Sequence, residues 1–229
     1  MKKKNIILYA GKRLGNLVLN YMIKNHHPDY LIPNLDDNGK DNVLHESTVK
    51  IAKREGIKII DNKKLIKLCK KKMIDYIICA GTTIIIPQDI LKSCRYGAIN
   101  FHPSLLPKYR GRYSTVHAIF NGEKNTGATC HWIDSEIDKG KIIYQKKIKI
   151  ENFYTARDLY EIFTDEAFKL FKKVFFNILE NKEIKSKKMK VRTKYEKKYF
   201  PNKGQIDWNW SGKKILNFIR SMTYEPFEP

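Results

Sequence analysis

The stretch INFHPSLLPKYRG, Ile99 to Gly111, runs from apolar residues into a loop bounded by prolines and ending in a basic residue. Asn100 and His102 stand two apart, so on a strand their side chains emerge on one face. Working outward, NIILYA (Asn5–Ala10), YLIP (Tyr30–Pro33), IKII (Ile57–Ile60), IDYIICA (Ile74–Ala80) and GAINF (Gly97–Phe101) read as strands. Between them Leu14–Lys24, Ser47–Glu55, Lys63–Lys71 and Pro87–Ser93 carry helical spacing. Continuous apolar strands separated by helices predict an α/β fold whose mostly parallel sheet is covered on both faces, with right-handed crossovers. Ligands of such sheets bind beyond the strand C-termini, and Asn100 and His102 end a strand, so the stretch reads as a site rather than a plain turn.

Downstream, Gly127–Trp132 and Lys141–Ile150 read as two further strands, and Thr155–Glu180 has helical spacing. After Lys182 the chain turns lysine-rich, with KGQIDWNW (Lys203–Trp210) and a last helix over Lys213–Met222. We place a catalytic domain at 1–185 and a short C-terminal extension at 186–229.

At 229 residues the chain supports one sizeable core. Its apolar residues are dispersed, which excludes a membrane crossing, and the apolar run after MKKKN is too short for a signal peptide. Cys69, Cys79, Cys94 and Cys130 form no CxxC pair, so reduced thiols in a cytoplasmic protein without a metal are expected. Lysine and arginine number 45 against 24 acids, a net charge of +21. That excess is read either as a solvated lysine surface or as a dedicated anion patch.

Two segments could carry chemistry. In YAGKRLGN (Tyr9–Asn16), Gly11 permits close approach at a helix start and Lys12 and Arg13 add charge, so it is either a phosphate site or a tight turn. Its spacing is not GxGxxG and no acid clearly follows the second strand, so no nicotinamide cofactor is expected. In TGATCHWIDSEIDKGKIIYQ (Thr126–Gln145), His131, Asp134 and Asp138 precede Gly140. Taken alone, His131 is a strand residue and Asp138 a turn acid. Asn100, His102 and Asp138 together give an amide donor, a proton carrier and an orienting carboxylate, a set suited to acyl transfer.

N-x-H-P-S-L-L-P-x-Y-R-G followed by T-G-A-T-x-H-x-x-D-x-x-x-D-x-G-x-I-x-x-Q resembles the folate-dependent formyltransferases, and the likeness runs from about residue 5 to residue 222. The resemblance implies a Rossmann-like formyltransferase fold and assigns Asn100, His102 and Asp138 as the catalytic triad. It makes 10-formyltetrahydrofolate the formyl donor, with CAGTTIIIP (Cys79–Pro87) as the folate wall, through Gly81, Ile84, Ile85 and Ile86, and with His131 and Asp134 on the same side. Without the resemblance, those isoleucines read as core. Gly11, Lys12, Arg13, Ser104, Tyr109 and Arg110 are the candidate substrate contacts.

The acceptor is read from the tail and from one loop. The segment over 191–229 is similar to an IDW element and helix shared by the tRNA and sugar enzymes, and RGRYST (Arg110–Thr115) stands where the tRNA enzymes commonly have RGAAP. The expected acceptor is therefore a nucleotide-linked amino sugar, a dTDP-4-amino-4,6-dideoxyhexose used in surface polysaccharide synthesis. Lys12 and Arg13 would meet its pyrophosphate, and an aromatic residue of the tail would stack on its base. A methionyl-tRNA formyltransferase-like enzyme, a formyl-tetrahydrofolate hydrolase, and a basic nucleic-acid-binding protein on this fold are the alternatives. A homodimer through the C-terminal region is held open beside packing of that region on its own domain.

Overall fold

The computed structural model describes residues 4–43, 45–71, 73–190 and 199–225. They divide into two compact units, the first formed by residues 1–101 and 171–183, the second by 102–170 and 184–229.

The first unit is a parallel sheet with helical connections. Strands β1 (Ile6–Ala10), β2 (Tyr30–Pro33), β3 (Ile74–Ala80) and β4 (Cys94–His102) lie in the order β2-β1-β3-β4. Ile7 pairs with Tyr30 on one side of β1 and with Ile77 on the other, and Cys79 pairs with Asn100. Every residue of β1 and β3 is buried, which requires cover on both faces and explains why β1 is wholly apolar and β3 apolar but for Asp75, whose carboxylate accepts the Asn5 amide. Helix α1 (Lys12–Asn25) turns Leu14, Val18, Leu19 and Met22 inward at helical spacing. It comes so close to the strands that a Cβ on Gly15 would lie 2.9 Å from the Ala80 carbonyl oxygen. Residues 171–183 bring Phe171 edge-on to Tyr21 of α1 and to Phe101.

The connecting helices α2 (Thr48–Arg54) and α3 (Asn62–Cys69) start where the side chains of Ser47 and Asp61 accept the amides of Lys50 and Lys64. Helix α4 (Gln88–Ser93) leads into β4. Ile57–Ile60, expected as a strand, makes one isolated bridge, Leu31 to Ile59. It is corrected to an extended segment, because only Leu31 of β2 exchanges hydrogen bonds with it, through Lys58 and Ile60.

In the second unit, β5 (Asn125–Trp132) and β6 (Ile142–Lys149) form an antiparallel pair from Asn125–Lys149 to His131–Ile142. The described strands are thus mixed, β1 to β4 parallel and β5 and β6 antiparallel, in keeping with the mostly parallel fold expected. Helix α5 (Ser114–Phe120) was not expected from the sequence. It packs on α7 (Gly212–Met222), where Phe120, Trp210 and Phe218 meet ring to ring. Helix α6 (Ala156–Leu179) carries the chain from the second unit into the first. The last segment therefore packs against α5, and its residues 191–198 and 226–229 lie outside the described ones. No described helix is long and apolar enough to cross a membrane, and no three or more His, Cys, Asp or Glu side chains gather among the described residues as a metal site would need.

Candidate active site

Strand β4 ends in Asn100 and His102, and the loop after it is held by the second unit's own polar side chains. The Thr129 hydroxyl on β5 donates to the Ser104 carbonyl at 2.6 Å and accepts the Leu106 amide. Gln145 on β6 donates to the Leu106 carbonyl at 2.9 Å and to Thr129. Gly127 is required beside them, since a Cβ there would lie 2.3 Å from the Lys146 carbonyl oxygen and 2.5 Å from Leu105. The T-G-A-T and Q positions of the motif thus fix the loop that frames His102.

Asp138 is brought to His102 by a tight return. Gly140 lies against the strand end so closely that a Cβ would come within 1.8 Å of the Trp132 carbonyl oxygen, and Asp138 itself takes a left-handed φ of 50°. Its Oδ2 accepts the Gly111 amide at 2.8 Å and lies 3.2 Å from His102 Nδ1. Its Oδ1 lies 3.5 Å from His131 Nε2. Burial alone would raise this carboxyl, but His102, His131 and the Gly111 amide together hold it well below the ordinary carboxylate range.

His102 is 4% exposed, and both ring nitrogens face acceptors. Nδ1 faces Asp138, and Nε2 lies 2.7 Å from the Tyr109 carbonyl oxygen, with the Ser114 hydroxyl 3.2 Å away. A neutral ring with its proton on Nε2 turns a lone pair toward the Asp138 carboxylate, whereas a proton on Nδ1 turns one toward the Tyr109 carbonyl. The cation satisfies both contacts. Burial, the largest influence, pulls the ring below its ordinary value, against the upward pull of Asp138 and the Tyr109 carbonyl. Burial thus favours the neutral ring while Asp138 and the Tyr109 carbonyl favour the cation, and a neutral ring can take up a proton.

The other candidates in the second unit are placed differently. His131 is buried beside Asp138 and donates from Nδ1 to the Trp132 carbonyl at 2.8 Å. Asp134 is exposed and accepts from Ser135, its chain neighbour. Ser104 is fully buried, its hydroxyl proton given to the Lys108 carbonyl. The Tyr109 hydroxyl donates to Glu123, and Arg110 is buried.

In the first unit, Gly11 and Gly81 meet at the ends of β1 and β3. A Cβ on Gly81 would lie 2.2 Å from the Gly11 carbonyl oxygen, and Gly81 has a left-handed φ of 64°. Asn34 locks the junction by donating to the Gly81 carbonyl at 3.2 Å and accepting the Thr83 amide at 3.0 Å. A Cβ on Gly11 would collide with that same Asn34 side chain. After the lock, Ile84 is half-buried, Ile85 exposed and Ile86 buried. Ile85 thus presents an apolar side chain to solvent beside the backbone turned by Gly81. At the start of α1, Lys12 is exposed and Arg13 half-buried.

Ser114, Thr129, Gln145 and Asn34 were not singled out from the sequence. Thr129 and Gln145 stood in the quoted motif as polar positions within strands, and that was the available signal. Asn34 acts through partners distant in sequence, and Ser114 through a fold of the loop before it that spacing does not encode.

The profile of the family described as Formyl transferase matches residues 40–175. The chain is 33% identical over 95% of its length to the Bifunctional polymyxin resistance protein ArnA of Wigglesworthia glossinidia brevipalpis, of which it covers 34%. It is 32% identical over 82% of its length to the Methionyl-tRNA formyltransferase of Clostridium tetani, of which it covers 63%. The chain therefore spans between about a third and two thirds of the length of these curated relatives. Among solved structures, the N-formyltransferase from Helicobacter canadensis in complex with folinic acid and dTDP-3-aminofucose is similar at a TM-score of 0.81 and 27% identity, over 95% of this chain and 80% of that one. With its motif glycines, threonine and glutamine each accounted for by close packing or hydrogen bonding, the chain belongs to the formyl transferase family.

Proposed function

We propose that the protein transfers a formyl group from 10-formyltetrahydrofolate to the amine of a nucleotide-linked amino sugar, a dTDP-4-amino-4,6-dideoxyhexose. The observation that carries this is the buried His102–Asp138 pair, with the imidazole held between acceptors at both nitrogens. The likeness to a neighbour reported with folinic acid and a dTDP-amino sugar supports the donor and the acceptor class.

The folate supplies the carbonyl carbon that the amine attacks. The residues of this chain then have three tasks. Asn100 offers an amide N–H to the oxygen that gains negative charge. His102 takes up the proton that the attacking amine must lose. Asp138 orients His102 and stabilises its cation as it forms, being anionic throughout the range in which an enzyme works. Gly81 and Ile84–Ile86 would receive the pterin, and His131 and Asp134 are the further candidate folate contacts. Gly11, Lys12 and Arg13 would receive the pyrophosphate, and Ser104, Tyr109 and Arg110 the acceptor sugar. We place this enzyme in the cytoplasm, where the donor and nucleotide sugars are made, and read the lysine excess as a solvated surface rather than a binding function.

The 32% identity to a Methionyl-tRNA formyltransferase keeps the tRNA acceptor as a second reading. A panel of dTDP-, GDP- and UDP-linked amino sugars, with charged initiator tRNA and glycinamide ribonucleotide beside them, separates the two. Formylation of a dTDP-amino sugar alone supports the proposal, and formylation of tRNA alone overturns the acceptor.

A further inference from the structure

Among the described residues, three groups face the ring nitrogens of His102, and two of them can only accept. The Asp138 carboxylate at Nδ1 and the Tyr109 carbonyl at Nε2 have no proton to give. Ser114 Oγ is the third, at 3.2 Å from Nε2, 2.9 Å from the Tyr109 carbonyl oxygen and 3.2 Å from the Gly111 carbonyl oxygen. It is 2% exposed and stands at the first residue of α5, preceded by Tyr113 at a left-handed φ of 59°. When Nε2 is unprotonated, the hydroxyl can donate to it. When Nε2 gains a proton, the hydroxyl can turn its own proton to either carbonyl and leave Nε2–H to the Tyr109 oxygen.

We propose that Ser114 is a positioning residue for formyl transfer, the partner among the described residues that donates to His102 Nε2 when it is unprotonated and turns its proton to a backbone carbonyl when Nε2 is protonated. This rests on the formyltransferase reading given above. Among the described residues, the titratable groups facing His102 are Asp138 and His131, and a substitution at Ser114 alters neither side chain.

The test is a titration of ¹⁵N-histidine-labelled protein by NMR, with His102 assigned from a His102→Gln sample and folding checked by circular dichroism. In Ser114→Ala the Tyr109 carbonyl alone faces Nε2, which favours a proton there. The His102 titration should rise by about half a unit to one unit, the size of one neutral hydrogen bond. In parallel, kcat should fall about fivefold to tenfold with both KM values within about twofold, and the acid limb of the pH profile should move upward. Ser114→Thr, which keeps the hydroxyl, should restore the titration and the rate. Should the alanine variant not fold, Ser114→Cys, a poorer donor, should shift the titration in the same direction. A His102 titration that does not move overturns the proposal. If the wild type transfers no formyl group while the Ser114→Ala titration still moves, the formyltransferase reading fails and the Ser114–His102 linkage stands.

Discussion

Replacing Asp138 by asparagine removes one charge and almost no volume, and the site dictates how the amide must sit. The Gly111 amide, 2.8 Å from Oδ2, needs an acceptor, so the new carbonyl oxygen takes that place. The new NH₂ then falls at the Oδ1 position, 3.5 Å from His131 Nε2, a nitrogen that can accept because His131 gives its Nδ1 proton to Trp132. Hydrogen bonds are preserved, and what is lost is the charge that stabilises a protonated His102. Two unit charges about 4 Å apart at an effective dielectric of about 20 interact by roughly 4 kcal/mol. The neutral amide dipole recovers part of that, leaving about 3 kcal/mol and a fall in kcat of about a hundredfold. The assay is chromatographic separation of formylated from free acceptor under saturating donor, with circular dichroism as the control for folding. A folded Asp138→Asn protein retaining more than a third of wild-type kcat would refute the reasoning.

Other outcomes follow from the same geometry. Asp138 is held below its unfolded carboxyl value, so its contribution to stability is full above about pH 4 and is lost as pH falls through the folded value. The stability gap between wild type and Asp138→Asn, on the order of 2 kcal/mol at neutral pH, should therefore shrink in urea titrations repeated near pH 3. Gly81→Ala should destabilise by about 3 kcal/mol, because its Cβ meets the Gly11 backbone at a left-handed φ, whereas Gly212→Ala, with open space around it at the start of α7, should be neutral or slightly stabilising in the same melts. Thr129→Val leaves the Leu106 amide and the Ser104 carbonyl without their partner and should cost about 2 kcal/mol, read as a lower urea midpoint.

The strands that were readable in advance are those buried on both faces. IILYA is apolar throughout and IDYIICA carries one charge, Asp75 near its start, and their observed ends fall within a residue of those expected. IKII has the same composition but meets only the end of β2, so its apolar run speaks of burial without pairing. Helix α5 was hidden because the resemblance drew RGRYST into a loop, and because its N-cap, Tyr113, supplies no side-chain hydrogen bond. The His102–Asp138 approach was legible as a combination of residue types, since a proton carrier ended a strand and a carboxylate stood before a turn glycine. Its second half was not. The Tyr109 carbonyl at Nε2 is a backbone group, and Ser114 reaches it through a fold of the loop that spacing does not encode. Likewise Gly11 and Gly81 read as ligand-facing glycines, and close packing against each other and Asn34 already requires both.

The most direct test of the account is a single-turnover experiment with 10-formyltetrahydrofolate carrying a labelled formyl group and a dTDP-4-amino-4,6-dideoxyhexose, comparing wild type with His102→Ala. The account predicts label on the sugar amine with the wild type and at least a hundredfold slower appearance with the variant. Equal rates for the two proteins, or label that leaves the folate only as formate, would contradict it.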